Sequence, residues 1–171
     1  MLNAWPEMAS RSDRAAVWFA SVLGAGRSKL APGTVGTAAT IQLYLLLAWL
    51  GSPAWYVGTT LGILVLGIAA AQRTSQLAGI ADPGLVVIDE TVGFLVPMTF
   101  VAPSVKHILL GFLVFRALDV VKPFGVRRLE AMDGGFGIMM DDFVAGVYGN
   151  VIVRLVIEVA DGAHTTGTLV G

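Results

Sequence analysis

The chain contains no cysteine and only two histidines, His107 and His164. The first absence excludes disulfides, thiolate metal sites and a cysteine nucleophile. The second leaves no imidazole cage for a transition metal. Charge is scarce as well: 13% of residues are charged and 56% hydrophobic, whereas roughly a quarter of an average soluble domain is charged. The formal net charge of −1 provides no basic field, so nucleic acid is not expected as a partner. Neither a Walker A pattern nor a DxDxT motif occurs, which removes P-loop and aspartyl-phosphate chemistry of the usual kinds. With a mean hydropathy of +0.77 and 171 residues, the expectation is one membrane-bound domain with its own core.

Long apolar runs are abundant. From Leu30 to Gln72 there is no charged residue, and one spanning helix needs only about 20 apolar residues. "GSP" at 51–53 breaks this run, predicting a helical hairpin with spans near 34–51 and 54–71. Arg11, Arg14, Arg27 and Lys29 precede the hairpin and Arg73 follows it, so the positive-inside rule places both of its ends in the cytoplasm. Upstream, "AAVWFASVLGAG" (15–26) follows two arginines, but Glu7 and Asp13 do not suit a signal-peptide n-region and no A-x-A site follows. It reads as a short interfacial helix that stays on the protein.

Beyond the hairpin, residues 78–90 form a loop with a turn signal at Asp82-Pro83-Gly84, and "LVVID" within it has some strand character. Residues 90–105 are apolar, with Pro97 and Pro103 set to kink or end a helix. Residues 106–123 read as a helix ending at Pro123, 124–137 as a polar, glycine-bearing connection, and 141–160 as a last apolar helix that contains Arg154. The expected fold is all-α, a compact helical bundle with several membrane-spanning or membrane-embedded helices. Residues 1–160 form one domain and 161–171 a flexible tail.

Parity then makes a stronger statement. If the hairpin returns the chain to the cytoplasm near Arg73, Asp89 and Glu90 begin the next apolar segment on that side. A turn near Pro103 brings Asp119 and Lys122 back to it, and Asp141 and Asp142 start the last helix there. "KLAPGTVGT" (29–37) lies at the head of the first span on the same face. Up-down order alone therefore gathers every acidic motif at one end of the bundle.

Each motif has a plain alternative. Asp89 and Glu90 in "VIDETVG" (87–93) would suit a helix N-terminus, although one acid suffices for a cap and two amid apolar residues suggest a cation. Arg116, Asp119 and Lys122 are spaced by three on one helical face, either as an ion-pair ladder or as a metal ligand with two phosphate-binding cations. "GGFGIMMDD" (134–142) reads as a flexible link with an N-cap, or as a glycine-rich loop exposing N–H groups to phosphate ahead of a cation site. Asp133 begins that turn. Lys29 is a phosphate contact or a positive-inside anchor, and Thr34 and Thr37 offer hydroxyls. Carboxylates in this number, without cysteine or histidine partners, suit Mg²⁺ or Mn²⁺ and phosphoryl chemistry at a membrane surface.

Four blocks, "APGTVGT" (31–37), "VIDETVG" (87–93), "FRALDVVKPF" (115–124) and "DGGFGIMMDDFVAG" (133–146), occur in an order and at a spacing that resemble the phosphatidylglycerophosphatase A family. The resemblance covers most of the chain. It implies an all-α, Mg²⁺-dependent lipid phosphatase that removes the terminal phosphate of phosphatidylglycerophosphate to give phosphatidylglycerol. Carried onto this sequence, it implies that Asp89, Glu90, Asp119, Asp141 and Asp142 hold one or two Mg²⁺ ions and carry catalysis. Lys29, Thr34, Thr37, Arg116 and Lys122 are then the candidate substrate contacts. Gly125 stands where the family pattern carries a second proline. The expected location is the inner, cytoplasmic membrane with the site facing the cytoplasm. The residues leave open direct attack by water or a phospho-aspartate, homo-oligomerisation, a phosphatase acting on another phosphomonoester, and a non-enzymatic membrane module such as a small transporter subunit.

Overall fold

Ser10 opens the first described helix with a capping box: its hydroxyl accepts from the Asp13 N–H, and the Asp13 carboxylate accepts from the Ser10 N–H. The computed structural model describes residues 10–122, 125–130, 132 and 134–167; Pro123, Phe124 and Asp133 lie outside them. Among these residues seven α-helices follow in order: α1 (Arg11–Ala20), α2 (Pro32–Leu50), α3 (Pro53–Ala78), α4 (Ile88–Leu95), α5 (Val105–Val121), α6 (Val126–Glu130) and α7 (Gly134–Gly167). No strand occurs among the described residues. "LVVID" finds no partner strand to pair with; it runs as a turn into α4, held by the Val87 N–H donating to the Ala20 carbonyl at 2.9 Å.

The hairpin forms as the sequence indicates. Gly51 terminates α2 in the left-handed conformation, and the Ser52 hydroxyl accepts from the Trp55 N–H to start α3, with Pro53 at its first position. Helix α3 continues past the expected residue 71 until Gly79, the next left-handed terminator. Among the described residues three helices are long and apolar enough to cross a membrane: Pro32–Leu50, Pro53–Ala78 and Gly134–Asp161. Helix α4 is not among them. Its eight residues rise only about 12 Å, and Val92, Phe94 and Leu95 are fully buried among the longer helices.

The free carbonyls at a buried helix end need partners inside the protein, and those at and just beyond the end of α4 find them in side chains from three neighbours. The Tyr56 hydroxyl donates to the Leu95 carbonyl at 2.7 Å and the Tyr44 hydroxyl to that of Val101 at 3.0 Å. The Asn150 amide donates to the carbonyls of Pro97 at 2.8 Å and Thr99 at 3.1 Å, and Arg154 donates to Thr99 at 3.1 Å. Arg154 thus caps the turn after α4 from a point on α7 about 30 Å from Gly134 along the helix.

The last helix corrects the expected connection over 124–137. This stretch holds the short helix α6, and α7 already begins at Gly134. The glycines serve packing. A Cβ at Gly135 would lie 2.0 Å from the Ile68 carbonyl, and one at Gly137 would lie 1.9 Å from that of Met132. The Gly135 N–H donates to the Gln72 side chain at 2.8 Å. "GGFG" is therefore the first turn of a helix pressed against α3, not a phosphate loop. At its other end α7 runs on to Gly167, into the segment expected to be a tail.

Helix α1 lies on α3, with Asp13 bonded to Arg73 at 2.6 Å. That hydrogen bond, together with the bond from Ser10, holds the Asp13 carboxyl at about 2. A carboxyl whose folded value is depressed stabilises the fold above its unfolded value, about 3.9, and loses that contribution as pH falls towards 2. We expect Asp13 to titrate near pH 2 by carboxyl NMR in the intact protein. In Arg73→Gln it should move upward.

Candidate active site

The start of α2, the start of α4, the end of α5 and the early part of α7 enclose a cavity of about 330 Å³. Asp89, Glu90, Asp119, Lys122, Asp141 and Asp142 all line it. The opposite turns, at 51–53 and 100–103, border a separate apolar groove at the far end. The gathering of acids argued from parity is thus present, although α4 reaches the far end through an irregular turn rather than by crossing as a helix.

Glu90 is the most tightly held acid. Its Oε2 accepts from the Thr37 hydroxyl at 3.0 Å and from Arg116 Nη1. The same guanidinium nitrogen meets Asp119 Oδ2 at 2.8 Å, one turn along α5. Gly33 explains how α2 comes so close, since a Cβ there would fall 1.8 Å from Glu90 Oε1. One turn deeper, the Thr40 hydroxyl donates to that of Thr91 at 2.9 Å. On the other side of the cavity Lys122 Nζ meets Asp141 Oδ2 at 3.0 Å, and Asp141 Oδ1 accepts from the Asp142 N–H at 2.8 Å. Asp141 and Asp142 lie about 10 Å along α7 from its first residue, so they are not capping residues.

The charges do not balance. Glu90 and Asp119 share Arg116, and Asp141 has Lys122. No ion pair to Asp89 or Asp142 is found among the described residues, and Asp89 Oδ1 is buried without any hydrogen-bond partner there. Burial pushes the Asp89 carboxyl well above the ordinary carboxylate range, and the neighbouring Glu90 charge adds to the effect. Burial raises Glu90 too, with Arg116 opposing. No group of three or more acidic or histidine side chains among the described residues already stands in a metal-ligand arrangement.

The remaining candidates are dispersed. Lys29 is exposed and Thr34 half-buried, and neither lines the cavity. Thr37 and Arg116 stand behind Glu90 and orient it. Sequence reasoning missed Gly33, Gln72, the Thr40–Thr91 pair and Asp82, which also lines the cavity. Gly33 and Gly36, three apart, share one helical face, and a Cβ at Gly36 would fall 2.9 Å from the Val87 side chain. Gln72 carries no such local signal.

Apolar helices long enough to span a membrane, with a carboxylate-lined cavity at one end, define the chain as a membrane-associated helical bundle with a candidate active site. The family model for phosphatidylglycerophosphatase A matches residues 18–157. A protein of Haemophilus influenzae named phosphatidylglycerophosphatase A is 40% identical over 133 residues, 76% of this chain and 81% of the relative. One of the same name from Escherichia coli K12 is 35% identical over 126 residues, 72% of this chain and 73% of the relative. A Bacteroides thetaiotaomicron protein with the provisional name phosphatidylinositol-3-phosphatase is 37% identical over 139 residues, 77% of this chain and 87% of the relative. No solved structure gives a significant match. The chain belongs to the phosphatidylglycerophosphatase A family, and it is a phosphatase.

The shared guanidinium makes a coupling prediction. Arg116→Met strands two carboxylates and should cost about 3–5 kcal/mol of stability. Glu90→Gln in the same background should recover part of it, giving a non-additive cycle of about 0.5–3 kcal/mol. Denaturant unfolding in detergent, followed by helical circular dichroism, measures both.

Proposed function

We propose that this protein is a Mg²⁺-dependent phosphatase that hydrolyses the terminal phosphomonoester of phosphatidylglycerophosphate, giving phosphatidylglycerol in phospholipid synthesis. Its site would face the cytoplasm from the inner membrane. The observation that carries the metal part is the uncompensated pair, Asp89 and Asp142, with the orphaned Asp89 oxygen beside the cavity. The names of the relatives from Haemophilus influenzae and Escherichia coli support the lipid substrate.

The donor set fits a hard divalent cation. It is all oxygen, carries more negative than positive charge, and includes a buried oxygen lacking a partner. Asp89 and Asp142 would hold the ion, with Asp141 and Asp119 next to them. When bound, Mg²⁺ supplies Lewis-acid polarisation of a phosphoryl oxygen and a more acidic water. Lys122, already lining the cavity, offers an ammonium to the phosphate oxygens. Thr37 and Arg116 keep Glu90 in one orientation, and Arg116 does the same for Asp119. The apolar outer faces of the long helices leave the acyl chains in lipid, so only the headgroup needs to enter the cavity.

The distribution of cations supports that orientation. Nine of the eleven lysines and arginines belong to the site end, all but Lys106 and Arg154, which favours a cytoplasmic site. The Bacteroides relative's name motivates a second reading, another lipid phosphomonoester. Phosphate release from phosphatidylglycerophosphate and from phosphatidylinositol 3-phosphate separates the two. We expect the former to be preferred, and excess chelator to abolish release until Mg²⁺ is restored; activity indifferent to chelator removes the metal. Asp141→Asn and Asp142→Asn should each lower turnover at least about tenfold, or about 1.4 kcal/mol in the barrier, with helical content unchanged.

A further inference from the structure

We propose that residues 11–30 form a docking surface for anionic lipid headgroups beside the mouth of the site. Four cations, Arg11, Arg14, Arg27 and Lys29, are exposed along this segment. Its one acid, Asp13, is consumed by Arg73. The segment's free charge is therefore entirely positive, while the whole chain is slightly negative.

Large apolar side chains stand among these cations. Trp18 is 43% exposed, Leu23 81% and Leu30 82%. The Arg27 guanidinium lies over the Trp18 ring, 4.8 Å from its centre, which binds the aromatic and a cation into one unit. The backbone holds Leu23 outward at a cost. Val22 and Leu23 both have positive φ, 48° and 54°, ahead of Gly24 at 99°, and a β-branched residue rarely adopts that region. Leu30 precedes another such residue, Ala31 at 44°. Strain of this kind persists where the exposed conformation has a use. Apolar side chains interleaved with cations suit the boundary between headgroups and acyl chains.

The inner side of the segment is packed on the site itself. Ala20 accepts from the Val87 N–H at 2.9 Å. A Cβ at Gly26 would lie 2.0 Å from the Leu85 carbonyl. Residues 85–87 lead directly into Asp89 and Glu90. The docked segment therefore braces the stretch of chain that delivers two of the acids, and it collects anionic lipids next to the cavity.

The surface is tested without any turnover, so its failure is distinct from failure of the phosphatase reading. The full chain with Trp5→Phe, Trp49→Phe and Trp55→Phe, leaving Trp18 as the sole tryptophan, is reconstituted in phosphatidylcholine vesicles. The vesicles carry a trace of dansylated phosphatidylserine or dansylated phosphatidylcholine. Energy transfer from Trp18 should be at least about threefold greater to the anionic lipid. The ratio should fall to about one in the added triple variant Arg11→Gln, Arg14→Gln, Arg27→Gln. Without that variant, raising salt from about 0.05 to about 0.5 M should also lower the ratio. Equal transfer to both lipids, or a preference unmoved by both the variant and salt, overturns the proposal.

Discussion

Helix α4 sets the terms for the rest of the molecule. It is too short to cross a bilayer, yet it lies inside the bundle with both ends buried. Its carboxyl end leaves carbonyls without helical partners, and Tyr44, Tyr56, Asn150 and Arg154 supply the missing donors there and in the turn that follows. Its amino end presents Asp89 and Glu90 to the cavity, where the helix dipole favours their charge while burial opposes it. The long helices α2, α3 and α7 shield the first problem from lipid and frame the second as a site.

The charge arrangement separates acids that are held from acids that are available. Glu90 and Asp119 are fixed through Arg116, and Glu90 also through Thr37. Asp141 is fixed through Lys122. Among the described residues Asp89 and Asp142 have no such cation. Acids held by cations beside acids without an ion pair among the described residues keep the cavity's geometry while leaving it net negative. Close helix contact makes this possible: Gly33 against Glu90 and Gly135 against α3 leave no room for a side chain. The glycines of "GGFG" thus contribute packing, which brings Asp141 and Asp142 to the cavity two turns further along.

Much of the architecture was legible in the chain. The uncharged stretch over 30–72 with its GSP break predicts the hairpin, and the parity of turns predicts that "IDE", "RALD" and "MMDD" meet at one end. Both follow from solvation, since uncharged segments sort into the apolar interior and charged ones to its edges. Other features were not legible because they depend on distance between separate helices. The start of α7 at Gly134 rather than near Asp141 is decided by contact with Ile68 and Gln72. The division of labour among the candidates is of the same kind: Arg116 and Thr37 bond to Glu90, and Lys29 is exposed and does not line the cavity.

The sequence by itself determined the class of chemistry and the end of the bundle at which it sits. Residue types exclude thiol and imidazole sites, and hydropathy with parity gathers the carboxylates, because both act locally or count crossings. Only the tertiary structure decided which carboxylates have partners. Ion pairing and burial depend on a few ångströms between side chains that are 19, 26 or 53 residues apart in the chain, and no local pattern encodes those separations.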